Sequence, residues 1–431
     1  MKNRAVVCID MGSAYTKVAY RLEWSERATI INGTSASLEM PNSFCLPSTV
    51  ARTFTRDGRL RWLIGRDAAS RTPESGVEIF RNWKSGLFSE SSSAAQRSES
   101  EDVAIAFLKE LRLVVRSTVP DLADAPARIA VPKLNGTQNL EVDRMMRRLL
   151  FEAGWTGAQS RCAVFEPESN AIGVLTRGRN ATWAPKTPSS RQGFGPSMMM
   201  PKMLDDGLRA AFRSMSGFFR LFVTDIGAFT TDFGLVEFDC SLDDDDYNRP
   251  AIEQASVELG INQLDEAVKR VFPSDVKEHL MLISSTDWER CKMNLYDGKE
   301  HQVTIRNEDV RIGGPSDQQR ITRVVNSFAD KVVAARREFA AKHAKKLNEE
   351  ALTGGGAKIQ RLRERVMTKV RAEGHHVHDL EDPSEPDFAT SRGAGQLTPT
   401  ERDNRTKENA ILVRTASALG GVSVFFEDTH Q

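Results

Sequence analysis

The sequence is poor in cysteine and has no excess charge of either sign. Its 431 residues include five cysteines, which are scattered and never form a Cys-x-x-Cys pair. This pattern argues against a disulfide framework or a zinc knuckle and favours a reducing compartment. Lysine plus arginine and aspartate plus glutamate number 59 each, so no net charge attracts the chain to DNA or RNA. We therefore expect a cytoplasmic protein with no nucleic-acid partner.

Long hydrophobic runs are missing as well. No apolar stretch approaches the roughly 20 residues of a membrane-spanning helix. The first residues run straight into an apolar strand, which leaves no room for a signal peptide. We expect no membrane association, and the 40% apolar and 27% charged residues are typical of a globular chain with about two to four domains.

Two short glycine-bearing segments, far apart in the chain, share one pattern. Residues 7–14 and 223–232 each contain an apolar strand, an aspartate, one residue, a glycine and small or hydroxyl residues before a second apolar strand. The pattern predicts a tight hairpin whose tip presents N–H groups and hydroxyls beside a carboxylate. Such a tip binds anions, and its carboxylate can hold Mg²⁺ directly or through water. Two facing tips would clamp a nucleoside triphosphate, and a third glycine cluster at 354–356 supports this interpretation.

The order of predicted elements repeats between the two halves of the chain. A hairpin followed by helices occupies residues 1–176, and the same order returns over 219–397. Between them, residues 177–218 are rich in Pro, Ser, Gly and Met and predict an inserted loop. Residues 398–431 predict a C-terminal segment that packs back on the first lobe. This organisation favours two related lobes, with sheets covered by helices and the ligand in the cleft between them.

Three local predictions concern the segments around these hairpins. The serine-rich stretch 85–100 predicts a loop before a helix over 101–117. A helix is expected over 258–272, directly after the second hairpin. The polar residues 348–350 (Asn-Glu-Glu) weaken the strand expected before the glycine cluster.

Five motifs occur along the chain in order. Their residues are 9–13 (Ile-Asp-Met-Gly-Ser), 165–171 (Phe-Glu-Pro-Glu-Ser-Asn-Ala), 225–232 (Asp-Ile-Gly-Ala-Phe-Thr-Thr-Asp), 352–359 (Leu-Thr-Gly-Gly-Gly-Ala-Lys-Ile) and 386–394 (Pro-Asp-Phe-Ala-Thr-Ser-Arg-Gly-Ala). The series resembles the phosphate, connecting and adenosine motifs of the actin, sugar-kinase and DnaK-type heat-shock ATPase superfamily. The resemblance covers nearly the whole chain.

Three further segments are most similar to the ATPase domain of DnaK-type chaperones. Residues 80–84 (Phe-Arg-Asn-Trp-Lys), 259–265 (Leu-Gly-Ile-Asn-Gln-Leu-Asp) and 288–292 (Trp-Glu-Arg-Cys-Lys) resemble its catalytic-lysine segment, a lobe-entry turn and the nucleoside helix. The resemblance implies an α/β protein with a two-lobed actin-like ATPase fold. Each lobe would be a mixed, ribonuclease H-like β-sheet with flanking helices, and the nucleotide would lie in the interlobe cleft.

The resemblance also implies ATP or ADP with Mg²⁺ as cofactor and a role for each matching residue. Asp10 and Asp225 would organise the metal, largely through water, and Glu166 would position the attacking water. Lys84 would contact the γ-phosphate, and Thr230 would donate its hydroxyl to a phosphate oxygen. The implied nucleotide-binding residues are Gly12, Ser13, Ala14, Gly227, Ala228, Glu289, Lys292, Met293, Gly354, Gly355, Gly356 and Lys358.

Simpler interpretations of some of these residues stay open. A lone lysine beside a serine-rich loop, such as Lys84, is usually a solvated side chain. Glu289 and Lys292, three residues apart, could form a plain surface ion pair. The His375-His376-Val377-His378 run could bind a metal, but an exposed strand or loop explains it more simply. Likewise, the acidic run 243–246 is more typical of a turn than of a Ca²⁺ site.

Four residues depart from the chaperone pattern. Ala14 and Phe229 stand where the chaperones carry threonine and glycine. Met293 and Lys358 replace the two arginines that stack on adenine, which would weaken cation–π contacts to the base. Either a weak ATPase or a nucleotide-binding switch fits these departures.

The leading hypothesis is an ATP-dependent, DnaK-like conformational switch that acts through an unidentified protein partner, with residues 177–218 as a candidate contact. We expect no peptide-binding domain in this chain, because only about 35 residues follow the last motif. One alternative is an actin-like filament or scaffold protein with little or no turnover. Another is a small-molecule kinase, although nothing in the sequence marks a sugar pocket.

Overall fold

The computed structural model describes residues 6–21, 29–30, 46–73, 76–122, 124–134, 139–157, 162–176, 218–239, 251–305, 308–343, 349–375 and 377–379. The strands are β1 (Val6–Met11), β2 (Tyr15–Arg21), β3 (Thr29–Ile30), β4 (Leu46–Pro47), β5 (Val50–Phe54), β6 (Leu60–Ile64), β7 (Val77–Phe80), β8 (Ala127–Val131), β9 (Ala163–Phe165), β10 (Phe218–Ile226), β11 (Thr231–Asp239), β12 (Ala251–Val257), β13 (His301–Ile305), β14 (Glu308–Ile312), β15 (Glu349–Thr353) and β16 (Val377–Asp379). The helices are α1 (Gly65–Ala69), α2 (Trp83–Phe88), α3 (Ala94–Thr118), α4 (Asn139–Glu152), α5 (Glu166–Thr176), α6 (Ile261–Lys269), α7 (Ser274–Leu282), α8 (Ser285–Tyr296), α9 (Pro315–His343) and α10 (Gln360–Ala372). The protein is therefore a mixed α/β structure.

The first sheet is built around the β1–β2 hairpin. Its strand order is β3-β2-β1-β8-β9, with β4 paired to β2. Strands β1 and β2 are antiparallel, whereas β8 lies parallel to β1 and β9 parallel to β8. All six residues of β1 are buried, as expected for a central strand with both faces covered.

The second sheet repeats this arrangement. Its order is β12-β11-β10-β15-β16, with β10 and β11 antiparallel, β12 antiparallel to β11, and β15 and β16 parallel. Strand for strand, the described part of the second sheet has the order and directions of the first. The repeated sequence pattern thus corresponds to two sheets of the same topology, one in each half of the chain.

Each sheet packs against its own helices. In the first half, Phe107 and Leu108 of α3 and Met146 of α4 are fully buried against the sheet. In the second half, α6, α9 and α10 supply the core, where Val332 and Leu362 are fully buried. Helix α5 is different, because it follows β9 of the first sheet but contacts β10, β11 and β12 of the second.

Smaller elements extend both halves at the same side of the molecule. In the first half, a sheet of order β6-β5-β7 precedes α2. In the second half, the β13–β14 hairpin lies beside α7 and α8. The two extensions meet, since Arg81 Nη2, just before α2, donates to Ile283 O, between α7 and α8, at 2.7 Å. Beside this contact, Asn262 Nδ2 of α6 donates to Asn82 Oδ1 at 2.8 Å.

Three segments differ from the sequence-based expectation. Helix α3 begins at Ala94 rather than at 101, because Ser93 and Gln96 form a capping box that starts the helix within the serine-rich stretch. Strand β12 precedes the predicted 258–272 helix, which is shorter as α6. The polar residues Glu349 and Glu350 do form strand β15.

Some predictions fall outside the described residues. These are almost all of the 177–218 insertion, the acidic run 243–246, the motif 386–394 and the C-terminal segment 398–431. Across the part of the chain that is described, no helix has the length and apolar character needed to cross a membrane.

Candidate functional site

The tip of the first hairpin is a closed turn that leaves one hydroxyl unpaired. A Cβ on Gly12 would lie 2.4 Å from the carbonyl oxygen of Tyr15, so only glycine fits. Ser48 braces the turn, since its Oγ donates to Gly12 O at 2.5 Å and its N–H donates to Ala14 O at 2.9 Å. The Oγ of Ser13 is buried and has no hydrogen-bond partner among the described residues. A ligand oxygen at this tip would satisfy it.

The second hairpin has an equivalent tip that anchors a helix. A Cβ on Gly227 would lie 2.9 Å from Thr230 O, to which the Gly227 N–H donates at 2.9 Å. The N–H groups of Ile261 and Asn262 donate to the tip carbonyls of Gly227 and Ala228 at 3.0 and 2.9 Å. The start of α6 is therefore fixed on the second tip.

Helix α5 carries polar groups from the first sheet to the second hairpin. Its first residue, Glu166, forms a buried ion pair with Lys84 of α2. One turn later, Asn170 Nδ2 donates to Asp225 Oδ2 at 2.7 Å, and Thr353 Oγ1 donates to Asn170 Oδ1 at 3.1 Å. Because residues four apart share one helix face, α5 connects the Glu166 position to the Asp225 position.

Three carboxylates from both halves interact in the interior. Asp10 lies on β1 and pairs with Lys17 at 3.3 Å. Burial raises the pKa of Glu166, the Lys84 charge opposes this rise, and the Asp10 charge adds to it. Burial, together with the Glu166 charge, raises the pKa of Asp232 to about 8, against a hydrogen bond from Ser256 and the Lys84 charge. Acids and a lysine from both halves thus form one acid cluster, comprising Asp10, Lys84, Glu166 and Asp232.

Asp232 is the functional candidate that sequence reasoning missed. It lies directly opposite Asp225 in the second hairpin, as Lys17 lies opposite Asp10 in the first. Its Oδ1 is buried with no hydrogen-bond partner in the described part, while Oδ2 accepts from Thr230 Oγ1 at 3.2 Å. The available signal was its place at the end of the 225–232 motif. Asn170, within the 165–171 motif, was missed in the same way.

The glycine cluster packs against the second hairpin. Gly354 has φ +94°, and a Cβ there would lie 2.0 Å from Asp225 Oδ1. A Cβ on Gly356 would lie 2.4 Å from Ile226 Cγ2, whereas one on Gly355 would meet nothing within 4 Å. Backbone contact thus positions the Asp225 carboxylate and leaves Gly355 open to a ligand. Lys358 ends the short 3-10 turn of this cluster.

The predicted nucleoside residues lie on α8, and two of them already have partners. Lys292 Nζ is 2.6 Å from Glu289 Oε1 and 3.2 Å from Asp265 Oδ2. Burial alone would lower the pKa of Lys292, but the carboxylates of Asp265 and Glu289 outweigh it and raise the pKa. Burial raises the pKa of Glu289, which also accepts a hydrogen bond from Tyr15 of the first hairpin. This is a mostly buried network rather than a surface ion pair, while Met293 is 40% exposed.

A cavity of about 170 Å³ lies between the two halves. From the first half it is lined by the tip residues 13–15 and by Arg81 and Asn82, and from the second half by α6 and the start of α8. The lining contains Ser13, Ala14 and Glu289 of the predicted nucleotide residues but not Asp10, Glu166 or Asp225. The cavity therefore borders the first tip and is distinct from the acid cluster.

The structure brings some of the predicted residues together and not others. Asp10, Lys84 and Glu166 belong to one cluster, and Asp225 accepts a hydrogen bond from Asn170, which lies one turn after Glu166 on α5. Lys84 is 3% exposed and is not the solvated side chain that its surroundings in sequence suggested. Among the described residues, no group of three or more His, Cys, Asp or Glu side chains is arranged to hold a metal ion directly.

A search with models of known protein families and a search of curated proteins each gave no match for this chain.

Proposed function

We propose that the chain is a two-lobed, actin-like ATPase that binds ATP with Mg²⁺ between its halves and acts as a DnaK-like conformational switch. The observation that carries this proposal is the repeated sheet with an aspartate at the same position of each central hairpin. Asp10 and Asp225 each lie on the first strand of their hairpin, two residues before the tip glycine. The two positions are linked through α5 by Glu166 and Asn170.

The two tips supply groups suited to a polyphosphate. Closed glycine turns allow the phosphate oxygens to approach the backbone, because no Cβ stands in the way. The unpartnered Ser13 hydroxyl and the Thr230 hydroxyl would donate to those oxygens. When bound, Mg²⁺ would neutralise developing charge on the phosphates, and Asp10 and Asp225 would hold its water ligands.

The acid cluster supplies the groups for hydrolysis. Glu166 would orient the attacking water, and Lys84 beside it would contribute positive charge toward the γ-phosphate. Asp232, with its raised pKa and unpartnered Oδ1, is suited to exchange a proton with that water. On the nucleoside side, Gly355 is open, whereas Met293 and Lys358 offer weak stacking, which supports modest affinity and slow turnover.

The switch would consist of closure of the two halves around the nucleotide. Contacts such as Tyr15 to Glu289 and Asn262 to Asn82 cross between the halves. A ligand that favours this closed arrangement shifts the population toward it. A protein partner would recognise that state, and residues 177–218 are our candidate for its contact.

Nucleotide-dependent thermal stability tests the proposal. ATP with Mg²⁺ should raise the melting temperature of the full chain, and Asp10→Asn or Asp225→Asn should abolish the shift. The exposed Asp57→Asn variant is the matched control and should retain it. Absence of a shift with any nucleotide would overturn the proposal.

A nucleotide-binding scaffold with little or no turnover is the second candidate. It is favoured by the buried ion pair between Lys84 and Glu166, which ties together the two groups that turnover requires. Measured ATP hydrolysis distinguishes the candidates. A rate that falls in Glu166→Gln supports the ATPase, whereas equal background rates in both proteins support the scaffold.

A further inference from the structure

Arg81 is a cation with no acidic partner in the part of the chain that is described. It precedes α2 in the first half, and its guanidinium reaches the second half, where it donates to Ile283 O at 2.7 Å and Met281 O at 3.4 Å. Its Nε is buried and has no hydrogen-bond partner among the described residues. Burial lowers the pKa of this group, and no described carboxylate opposes the effect. A bound anion would compensate this buried charge.

Arg81 shares its cavity with two other unsatisfied groups. Ser13 Oγ and Thr286 Oγ1 are both buried, and neither has a hydrogen-bond partner in the described ranges. Both residues line the 170 Å³ cavity together with Arg81. Buried polar atoms without partners are uncommon in folded proteins. Three of them at one cavity, from three separate segments of the chain, indicate that the cavity receives hydrogen-bond acceptors.

Each acidic residue that lines the same cavity has a cationic partner, and Asp265 and Glu289 share the single charge of Lys292. Asp265 accepts from Trp288 at 3.0 Å and from Tyr296 at 2.5 Å, and it also pairs with Lys292. Glu266 pairs with Lys269 at 3.0 Å, and Glu289 pairs with Lys292 at 2.6 Å.

Two features therefore give the cavity its electrostatic character. Of the lining cations, Arg81 is the one without a carboxylate partner among the described residues. Helix α8, which begins at Ser285, adds the positive end of its dipole. These two features favour an anion placed against Arg81 and the start of α8.

We propose that this cavity binds a phosphate-type tetrahedral oxyanion, either free or as the terminal group of a small phosphomonoester, through Arg81, Ser13 and Thr286. The three donors come from separate segments and line the same cavity, which allows one tetrahedral anion to contact all of them. A planar carboxylate is best bound by the paired N–H groups of an arginine fork, and here both terminal nitrogens donate to carbonyls. The site shares Ser13 with the proposed nucleotide site but is separate from Asp10, Glu166 and Asp225, which do not line the cavity.

The oxyanion would also connect the two halves. Arg81 and Ser13 belong to the first half and Thr286 to the second, so the bound anion stabilises their closed arrangement and raises the melting temperature. Calorimetry and thermal unfolding of the full chain without nucleotide test this directly. The probes are inorganic phosphate, glycerol 3-phosphate and acetate.

Phosphate or glycerol 3-phosphate should bind and stabilise the protein, whereas acetate should not. If inorganic phosphate binds more tightly, the ligand is free phosphate, and if glycerol 3-phosphate binds more tightly, the ligand is a phosphomonoester. Arg81→Gln should weaken this binding by about tenfold or more, and Thr286→Val should weaken it severalfold, since each removes a hydrogen bond to a charged group. Arg290→Gln is the matched control, because Arg290 lies on α8 with Thr286 but has a side chain that is 69% exposed. This variant should bind phosphate normally.

Asp225→Asn separates this site from the proposed nucleotide site. It should retain phosphate binding while losing the response to ATP with Mg²⁺. Arg81→Gln should lose phosphate binding while retaining the response to ATP with Mg²⁺. If Asp225→Asn weakens phosphate binding and Arg81→Gln does not, the anion lies at the acid cluster and the proposal is wrong. Tighter binding of acetate, or no phosphate binding at millimolar concentration, also overturns it. If Arg81→Gln does not fold, Thr286→Val carries the test, since it leaves the Arg81 contacts to the carbonyls in place.

Discussion

Replacement of Lys84 by methionine should reveal how strongly the buried acid cluster depends on one cation. The lysine is 3% exposed and Glu166 is 6% exposed, so neither charge is solvated in the folded protein. Lys84→Met leaves the Glu166 carboxylate buried near the charge of Asp10. Removing one partner of a buried pair typically costs about 3–5 kcal/mol in the free energy of unfolding. We expect a loss of that size at pH 7.5, measured by urea denaturation.

A double-mutant cycle distinguishes lost charge compensation from lost packing. Glu166→Gln removes the charge that Lys84 neutralises, so Lys84→Met/Glu166→Gln should be more stable than Lys84→Met alone. Lower pH should have a similar effect, because protonation of Glu166 removes the uncompensated charge. Lys109→Met, on the exposed side of α3, is the control and should change stability by less than about 0.5 kcal/mol. If Lys84→Met costs less than about 1 kcal/mol and the second substitution brings no recovery, the buried pair does not have the role assigned to it.

Three further predictions follow from the same geometry. The pKa of Asp232 is about 8 in the folded state and near 4 in the unfolded state. Between pH 4 and pH 8 the folded state therefore holds one more proton than the unfolded state. Stability should therefore fall as pH rises, by up to about 1.4 kcal/mol per pH unit from this group, and Asp232→Asn should flatten the profile measured by urea titration between pH 5.5 and 8. An unchanged slope would contradict this assignment. Gly354→Ala places a Cβ 2.0 Å from Asp225 Oδ1 at φ +94° and should lower the melting temperature strongly, whereas Gly355→Ala, with open space, should have little effect. Equal effects of the two substitutions would argue against the packing described. Ser93→Ala removes the capping box of α3 and should cost about 1 kcal/mol in chemical unfolding, while Ser117→Ala near the far end of the helix should be nearly neutral.

The two hairpins could be predicted because their signal is local. An aspartate, a glycine two residues later and apolar strands on both sides determine a turn without help from the rest of the chain. In the structure, Gly12 and Gly227 each sit where a side chain would meet a backbone carbonyl. The parallel strands β8 and β15 come from distant parts of the sequence. The apolar character of β8 signals it, whereas β15 begins with two glutamates and has only a weak local signal.

The partners of charged residues could not be predicted, because they depend on tertiary contacts. Lys84 stands beside a serine-rich stretch in sequence but pairs in the interior with Glu166, 82 residues later. Similarly, Glu350 looks unfavourable in a strand, yet it is 3% exposed and forms a buried ion pair with Arg336 of α9, with His375 Nδ1 3.2 Å away. A charged residue is tolerated in a central strand when such a partner neutralises it. The residues around Glu350 in the sequence do not reveal that partner.

The same distinction explains why Asp232 and Arg81 became evident only in three dimensions. In sequence, Asp232 is one more acid at the start of an apolar strand, and Arg81 is an ordinary arginine before a helix. What sets them apart is the unsatisfied atom that each buries, the Oδ1 of Asp232 and the Nε of Arg81. Folding removes water from both atoms without supplying a partner in the described residues, which costs stability. Such a cost is retained most readily where a ligand or a reacting water supplies the missing contact, so these two positions are the most informative ones to mutate first.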